Sequence, residues 1–458
     1  PSAEIVSSNT PTTDAVPPSA SSNTHLWPAA SYLSDLRYLV MVAQQHPEMK
    51  SVWMERSELK KLVEKGVITE GEAAVLAEEA NNEWNDATAL PGWVQSLSLK
   101  GDLRLRYEQK HQDTSDEMGR TRGRYRFRWG GTATMNNGFK AGFRFASGSD
   151  NNPISTNQTI GGTSKSSAAT SGTGRDYLGI DQAYVQYDTG GTTIYAGKRP
   201  AHDKTGWMIN KGFLDSDYTP EGVEIHTPLG DTGWTAHLGW DALAENSSTQ
   251  DMDGLLMGQI TGSVGGLKLG IGGLWIYNRE VLSASTVGTT TGISHKDASG
   301  NSETSDDKTA SNFNPYFIDA KYSFETSGQP LSIGATYINN PGAYDDSNDS
   351  GYSLGAKLGK AKAAGSWEVG LEWRSMERDV MWAQLTDSDF GAFGARDEAN
   401  DTDYDNGTNV EGIVLKAKYQ IQDNVQLGLA WFETEAIEDN GSGNASTTRI
   451  QADLVFKF

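Results

Sequence analysis

From Pro91 to the last residue, the sequence alternates between apolar and polar side chains with a period of two. In the first such segment, Leu97–Glu108, Leu103 and Leu105 fall on one face while Arg104 falls on the other. Successive side chains of a β-strand point to opposite faces, so this period predicts strands with one apolar and one polar face. A chain dominated by such strands folds as an all-β protein.

Sixteen segments of this kind follow one another, joined alternately by tight turns and long polar loops. The first tight turn is Met135–Gly138, where Asn-Asn-Gly is a hairpin signal. An even number of strands, with short turns on one rim and long loops on the other, is typical of an outer-membrane barrel. The sequence therefore predicts an all-β membrane protein, a 16-stranded antiparallel up-and-down transmembrane β-barrel over residues 96–458. The long connections are 146–178, 199–219, 241–253, 278–312, 338–350, 375–409 and 433–447.

Composition supports a membrane barrel over a soluble domain of this size. Only 36% of the residues are hydrophobic, although the chain has 13 Trp, 17 Tyr and 13 Phe. A large soluble core needs more aliphatic residues. A polar-lined barrel needs only one apolar face per strand and aromatic belts at the two membrane interfaces. No segment approaches the about 18 apolar residues of a membrane-spanning helix.

Charge and cysteine content restrict the partners and the compartment. The net charge is −22, which excludes the basic surface that nucleic acid binding requires. The absence of Cys fits an oxidising compartment, where an unpaired thiol is a liability. No motif for a cofactor is present, so we expect none.

The N-terminal fifth of the chain has a different organisation. Residues 1–26 are rich in Ser, Thr and Pro and predict a flexible leader, and residues 27–92 predict a small helical segment. We expect one helix at Ala30–Gln45, a second that ends at Gly66, and a third that begins at a capping box at Thr69–Glu72. An even strand count places both barrel ends on the short-turn rim, so this segment is expected in the periplasm. The chain starts without a basic and apolar leader, so we expect any signal peptide to have been removed.

A set of short motifs, taken in their order along the chain, resembles the bacterial "putative porin" family over essentially all of residues 96–458. The motifs are Ser98–Tyr107, Ser155–Ile160, Leu178–Tyr187, Ala196–Lys198, Asp215–Gly222, Leu354–Lys360, Trp367–Gly370, Thr386–Gly391 and Leu454–Phe458.

The resemblance implies an outer-membrane channel but no particular substrate, and we expect passive diffusion of ions and small hydrophilic solutes through it. It implies that the strand ending at Phe458 is the signal read by the barrel-assembly machinery, and that outer-membrane lipids and lipopolysaccharide surround the barrel. Similarity to other 16-stranded porins also implies a homotrimer. It further implies that the loop Arg199–Thr219 folds into the lumen as a constriction loop; the alternative is a surface loop that only covers the rim. The loop residues expected at the constriction are His202, Asp203, Asp215 and Asp217.

The first three strands carry a strongly basic polar face, opposed only by Asp102 and Glu108. Charges on the lipid face are costly, so these side chains must point into the lumen. We interpret them as a basic wall that lines the constriction; the simpler alternative is that any charge suits a polar interior. Screening weakens carboxylates of exposed loops, such as Asp387 and Asp389, so the wall is expected to give a weak local preference for anions. The wall comprises Lys100, Arg104, Arg106, Arg124, Arg126, Arg128, Lys140 and Arg144.

Motifs for other chemistry are better explained by chance, and we expect no enzyme activity. Gly351–Gly355 spells a nucleophile elbow around Ser353, but it lies within an alternating strand. The seven histidines are scattered along the chain and predict no metal site. Two interpretations of the acidic loop 375–409 stay open: loose binding of a divalent cation, or a solvated cluster of carboxylates.

Two alternatives to a diffusion channel remain. The barrel could anchor the N-terminal helices to periplasmic or cell-wall partners, or it could be an outer-membrane hydrolase such as a lipase. The tethering role is compatible with a channel, and no convincing catalytic triad supports the hydrolase.

Overall fold

The computed structural model of the chain describes residues 63–73, 91, 93–113, 118–148, 152–162, 176–245, 252–277, 295–296, 302–303, 313–343, 348–391, 407–437 and 446–458. They belong to two units, residues 1–91 and residues 92–458. The leader and the helix expected at Ala30–Gln45 lie outside the described residues.

The described part of the N-terminal unit is the end of one helix and the start of the next. Gly66 has a φ of +66°, and its N–H donates to the Val63 carbonyl oxygen at 2.9 Å, a conformation that suits glycine after a helix. The Thr69 N–H donates to Glu72 Oε2 at 2.8 Å, and the Glu72 N–H donates to Thr69 Oγ1 at 3.2 Å. Hydrogen bonds from Thr69 lower the pKa of the Glu72 carboxyl. The predicted capping box is confirmed.

The second unit consists of sixteen long strands, which we number β1 to β16 in chain order. They are β1 Val94–Asp113, β2 Met118–Met135, β3 Phe139–Ser147, β4 Leu178–Thr189, β5 Thr192–Lys198, β6 Glu221–Pro228, β7 Thr235–Glu245, β8 Met252–Val264, β9 Leu267–Tyr277, β10 Tyr316–Thr326, β11 Gln329–Asn339, β12 Ser350–Gly359, β13 Trp367–Met376, β14 Val410–Gln422, β15 Val425–Ala436 and β16 Ser446–Lys457.

These strands form one closed sheet in which each strand is antiparallel to its neighbours. β1 pairs with β2 on one side and with β16 on the other, in a register that runs from Asp102–Lys457 to Asp113–Ser446. A two-residue strand, Gln158–Thr159, also pairs with β2. The prediction of a 16-stranded antiparallel barrel is therefore confirmed. Among the described residues, no helix is long and apolar enough to span a membrane.

Tight turns close one rim of the barrel. Asn137 and Gly138, between β2 and β3, have φ angles of +62° and +82°, and Gly265 and Gly266, between β8 and β9, have +57° and +84°. Left-handed conformations at both central residues match the twist of two paired strands. The N-terminal end of β1 and the C-terminal end of β16 lie on this same rim, as an even strand count requires.

The outer face of the barrel is apolar and the inner face is mostly polar. Leu105 on β1 is 43% exposed, while the adjacent Arg106 is 7% exposed because it points into the filled lumen. Other exposed outward side chains alternate in the same way along every long strand. They include Leu97, Leu99, Tyr107, Leu238, Ile260, Ile271, Trp275, Ile318, Leu354, Leu371, Trp373, Leu415, Leu429 and Ile450.

One part of the lumen departs from the expected polar lining. Leu255 and Met257 of β8 are buried inside the barrel, while Leu256 between them is 41% exposed on its outer face. Two long loops fold against these inward residues, so strands β8 to β11 and β13 to β15 carry apolar side chains on both faces near the long-loop rim. The expectation of a single apolar face is wrong for these strands. The buried residues are Trp207, Ile209, Phe213, Leu214, Tyr218, Leu274, Ile276, Phe317, Ile338, Met376, Val380, Met381, Trp382, Leu385, Phe390, Val410, Val414 and Phe432.

Candidate functional site

The loop between β5 and β6, residues 199–220, crosses the lumen to the opposite wall. Asn210 Nδ2 donates to Ser353 Oγ on β12 at 2.8 Å and to Glu372 Oε1 on β13 at 3.1 Å. These strands lie seven and eight positions from β5 in the sixteen-stranded sheet. On the way, the Met208 N–H donates to Gln259 Oε1 on β8 at 2.8 Å. The structure thus places this loop inside the barrel.

The loop between β13 and β14 also enters the lumen and packs on the β5–β6 loop. The Asp215 N–H donates to the Leu385 carbonyl oxygen at 2.8 Å. The Asp387 N–H donates to the Gly212 carbonyl oxygen at 3.2 Å. Phe213 is fully buried between the two loops. A side chain of this size contributes about 2 kcal/mol when it is removed from water, so the loops are held by packing as well as by hydrogen bonds.

Arg374 on β13 fastens both loops to the wall. Its guanidinium lies 3.2 Å from Asp387, 3.1 Å from Glu372 and 4.4 Å from the ring centroid of Phe390. A Cβ atom at Gly212 would lie only 2.1 Å from the Arg374 Cζ atom. Glycine is therefore required at residue 212, because the loop backbone passes directly over the guanidinium.

The basic side chains of β1 to β3 face the lumen, but carboxylates neutralise most of them. Arg126 and Arg128 each bind Asp102, at 2.7 and 2.8 Å, and Arg128 lies 3.6 Å from Asp217 of the β5–β6 loop. Within the first three strands only Asp102 and Glu108 oppose the basic wall, but carboxylates from other parts of the chain join them, among them Asp217 of the loop. The missing partners come from distant parts of the chain, so the strand pattern alone could not reveal them.

The remaining members of the predicted wall, except Lys100, also have a carboxylate partner among the residues that the structure describes. Arg104 lies 3.7 Å from Asp453, Arg106 lies 2.7 Å from Asp453, Arg124 lies 3.7 Å from Glu108, Lys140 lies 2.9 Å from Asp188, and Arg144 contacts Asp181. Lys100 is exposed near the short-turn rim.

Asp389, expected in an exposed loop, instead lies within the lumen. It contacts Arg106 at 3.2 Å and Arg449 of β16 at 2.8 Å. Burial alone would raise the pKa of Asp389, but Arg106, Arg449 and Arg124 outweigh it and hold this pKa below its ordinary value. Asp387 pairs with Arg374 and is equally enclosed. The expectation that these two carboxylates act only at the channel mouth is wrong.

Asp215 and Asp217 lie in the β5–β6 loop and differ in their electrostatic surroundings. Burial, and then the charges of Asp217 and Asp387, raise the pKa of Asp215. Burial would also raise the pKa of Asp217, but Arg126 and Arg128 lower it. Asp217 therefore carries the negative charge that faces the arginines, although the sequence gives both residues the same expected role.

His202 and Asp203 occupy other positions in the same loop. His202 is 2% exposed, and its Nε2 lies 3.2 Å from Asp241 of β7. It is buried between the loop and the wall and does not reach the open lumen, which corrects its predicted place at the constriction. Asp203 pairs with Lys211 at 3.1 Å.

His226 of β6 and His237 of β7 come together with His202 of this loop around the ring of Trp207. His226 Nδ1 and His237 Nδ1 are 2.5 Å apart, and His226 Nε2 lies 3.0 Å from Glu224. Arg199 is completely buried, 2.7 Å from Glu224, and also contacts Asp241. The interpretation of the histidines as scattered is wrong for this group. Nevertheless, no group of metal-ligating side chains suited to an ion occurs in the described ranges.

The loops and the arginines enclose a cavity of about 290 Å³. Arg104, Arg106 and Arg126 line one side, while carboxylates of both loops line another. Lysines that the sequence analysis did not single out, Lys211 of the loop and Lys416 and Lys418 of β14, also line it. Charged side chains of both signs therefore line this cavity.

A closed barrel with an apolar outer face and a charged lumen is a transmembrane β-barrel. The family described as "Putative porin" matches residues 44–118, 110–199 and 311–458 of this chain. The chain belongs to that family, and its fold and family indicate an outer-membrane location. No curated protein matches the sequence.

Solved structures of two porin-like barrels are similar to this chain. An engineered porin of Rhodopseudomonas blastica has 12% sequence identity and a TM-score of 0.42, with 79% of this chain and 100% of that chain covered. A loop-deletion variant of OmpT, an outer-membrane protein of Vibrio cholerae, has 12% identity and a TM-score of 0.42, with 79% and 99% covered.

Proposed function

We propose that this barrel is a channel for the passive diffusion of ions and small hydrophilic solutes across the outer membrane. The observation that carries the proposal is the charged passage between the arginines of β1 and β2 and the two inward loops. Arg106 pairs with Asp389 at 3.2 Å, and Asp217, which lies 3.6 Å from Arg128, lines the same cavity. Opposite charges on facing walls orient polar solutes and water, whereas an apolar solute would have to displace that water without replacing its hydrogen bonds.

The same proposal includes the orientation of the barrel in the membrane, its oligomeric state and its insertion. The short-turn rim and the N-terminal unit would face the periplasm, and the long loops would face the exterior. The apolar outer face would contact outer-membrane lipids, with lipopolysaccharide on the exterior side, and three copies would associate through part of it. The barrel-assembly machinery would insert the chain by reading its C-terminal strand.

We propose no catalytic role for this protein. Ser353, the serine of the apparent nucleophile elbow, lies within β12 and is 5% exposed. Its hydroxyl donates to Glu372 at 2.9 Å and accepts from Asn210 at 2.8 Å. Through these contacts, Ser353 helps to hold the β5–β6 loop in its position across the lumen.

A tethering role for the N-terminal unit is a second candidate. Residues 1–91 form a unit separate from the barrel, so they could bind a periplasmic or cell-wall partner without affecting transport. Deleting residues 1–90 separates the two roles. Solute diffusion should survive the deletion, while retention on isolated cell wall should be lost.

Liposome swelling tests the channel directly. Vesicles containing the full chain should swell in isotonic solutions of small sugars, and the rate should fall steeply as the sugar becomes larger. Vesicles with boiled protein are the control. Swelling no faster than that control for the smallest sugar would contradict the proposed function.

A further inference from the structure

The lumen contains a second basic surface, on strands β9 to β14 and opposite the arginines. We call it the lysine wall and define it by Lys268 of β9, Lys321 of β10, Lys357 of β12, Lys416 and Lys418 of β14, and Lys211 of the β5–β6 loop. Each strand lysine lies between outward apolar neighbours, as Lys321 does between Ala320 and Tyr322, so it points into the lumen. All six are solvent-exposed.

Two of these lysines stand directly opposite each other on neighbouring strands. Lys268 is the register partner of Lys321 in the β9–β10 pair. Side chains of such partners have Cβ atoms only about 5 Å apart, and like charges in this position destabilise a sheet. The two ammonium groups therefore repel each other, and a neutral residue at either position would remove this repulsion.

Carboxylates compensate three of the six lysines, including Lys211, which pairs with Asp203 at 3.1 Å. Glu368 of β13 lies 3.4 Å from Lys357 and 2.9 Å from Lys418. In the described part of the chain, no carboxylate lies within ion-pair distance of Lys268 or Lys321. The charges that act most strongly on Lys321 are those of Lys357, Lys268 and Lys211. This contrasts with the arginines of β1 and β2, which have carboxylate partners.

The wall beside these two lysines leaves room for a solute. Lys321 is the register partner of Gly334 on β11, which is the register partner of Gly355 on β12. A Cβ atom at Gly334 would have no neighbour closer than 3.6 Å, and that neighbour is a backbone oxygen. Because glycines separate Lys321 from Lys357, a small anion can approach the ammonium groups from the lumen.

We propose that Lys268 and Lys321, with Lys211 and Lys357 beside them, form a binding site for small anions that carry two or more negative charges. The site lies in the short-turn half of the lumen, and its Lys211 also lines the cavity between the arginines and the two loops. A multivalent anion bridges the opposed ammonium groups and replaces their repulsion with two attractions. This inference rests on the proposed channel and names the class of solute that the channel favours.

The test uses the full chain in planar bilayers, with inorganic pyrophosphate as the probe. Pyrophosphate added on one side should reduce the chloride current of the wild-type channel in a saturable manner. The double variant K268Q/K321Q should still conduct, but half-maximal block should require about tenfold more pyrophosphate, because two of the attracting charges are lost. Its reversal potential in a KCl gradient should also shift toward cation selectivity.

The variant K360Q/K362Q is the matched control. It loses the same formal charge from the short turn between β12 and β13, outside the lysine wall, and it should keep the wild-type block. Equal weakening in both variants, or a conducting wild type that pyrophosphate does not block, would overturn the site. Absence of any conductance would contradict the proposed channel instead. Calorimetric titration of pyrophosphate into the detergent-solubilised chain would then test the site, with binding by the wild type and weaker binding by K268Q/K321Q expected.

Discussion

Asn210 Nδ2 lies 2.8 Å from Ser353 Oγ, although Asn210 belongs to a loop that leaves the barrel wall at β5 and Ser353 belongs to β12 on the opposite side. This hydrogen bond fixes the middle of the β5–β6 loop across the lumen. Together with the Arg374 contacts and the apolar packing around Phe213, it holds the loop inside the lumen as a folded element.

Gly212→Ala should loosen this element. The new Cβ would meet the guanidinium of Arg374 at 2.1 Å, and Arg374 can move only by leaving Asp387 or Glu372. We expect a loss of about 1–3 kcal/mol in stability, the usual cost of overpacking, and larger, noisier single-channel currents. Thermal unfolding and bilayer recording measure these effects. Gly370→Ala is the control, since its Cβ would have its nearest neighbour, a backbone oxygen, at 3.6 Å; equal effects in both variants would contradict the role of Gly212.

Acid should release the β13–β14 loop through Asp389. The pKa of Asp389 in the folded chain lies below its ordinary value, so its ion pairs stabilise the loop fully above about pH 4 and are lost as the pH falls toward the folded pKa. Channel noise should therefore be constant at neutral pH and should rise only in strong acid. Asp389→Asn should show this noise already at pH 7. A quiet D389N channel at neutral pH would show that Asp389 does not hold the loop.

Phe458→Ala should impair assembly while leaving the assembled channel unchanged. Phe458 is 60% exposed on the outer face, its N–H donates to the Gly101 carbonyl oxygen at 3.1 Å, and its ring stacks near Phe127 at 6.3 Å between centroids. An aromatic ring at this rim suits the membrane interface. The amount of folded protein in outer-membrane fractions should fall several-fold, and Phe458→Trp should restore it. Normal amounts of F458A in that fraction would refute the role of Phe458 in assembly.

The folded barrel should resist detergent without heating. Each strand has two paired neighbours, so the sheet has no free edge at which unfolding can begin. Unboiled protein should migrate differently from boiled protein in a detergent gel. Identical mobility of the two samples would contradict a closed barrel.

The strands could be predicted from the sequence because alternation is a local property of each segment. Leu103, Arg104 and Leu105 reveal the two faces of β1 without knowledge of its neighbours. Part of the apolar interior could also be predicted from the sequence, because Leu255, Leu256 and Met257 are consecutive and therefore place apolar side chains on both faces of β8.

The charge pattern of the lumen could not be predicted in the same way. Arg106 meets Asp453 and Asp389, which are 347 and 283 residues away, and no local pattern records these pairs. Lys268 and Lys321 each look like ordinary polar positions of an alternating strand. Only the register of β9 and β10 shows that the two face each other.

Single-channel recording of the purified full chain in planar bilayers tests whether the barrel conducts. We expect discrete current steps of reproducible size in KCl, and a conductance that changes when Gly212 is replaced by alanine. Protein that is folded by the gel-shift criterion yet produces no steps above the detergent background would contradict the proposed channel.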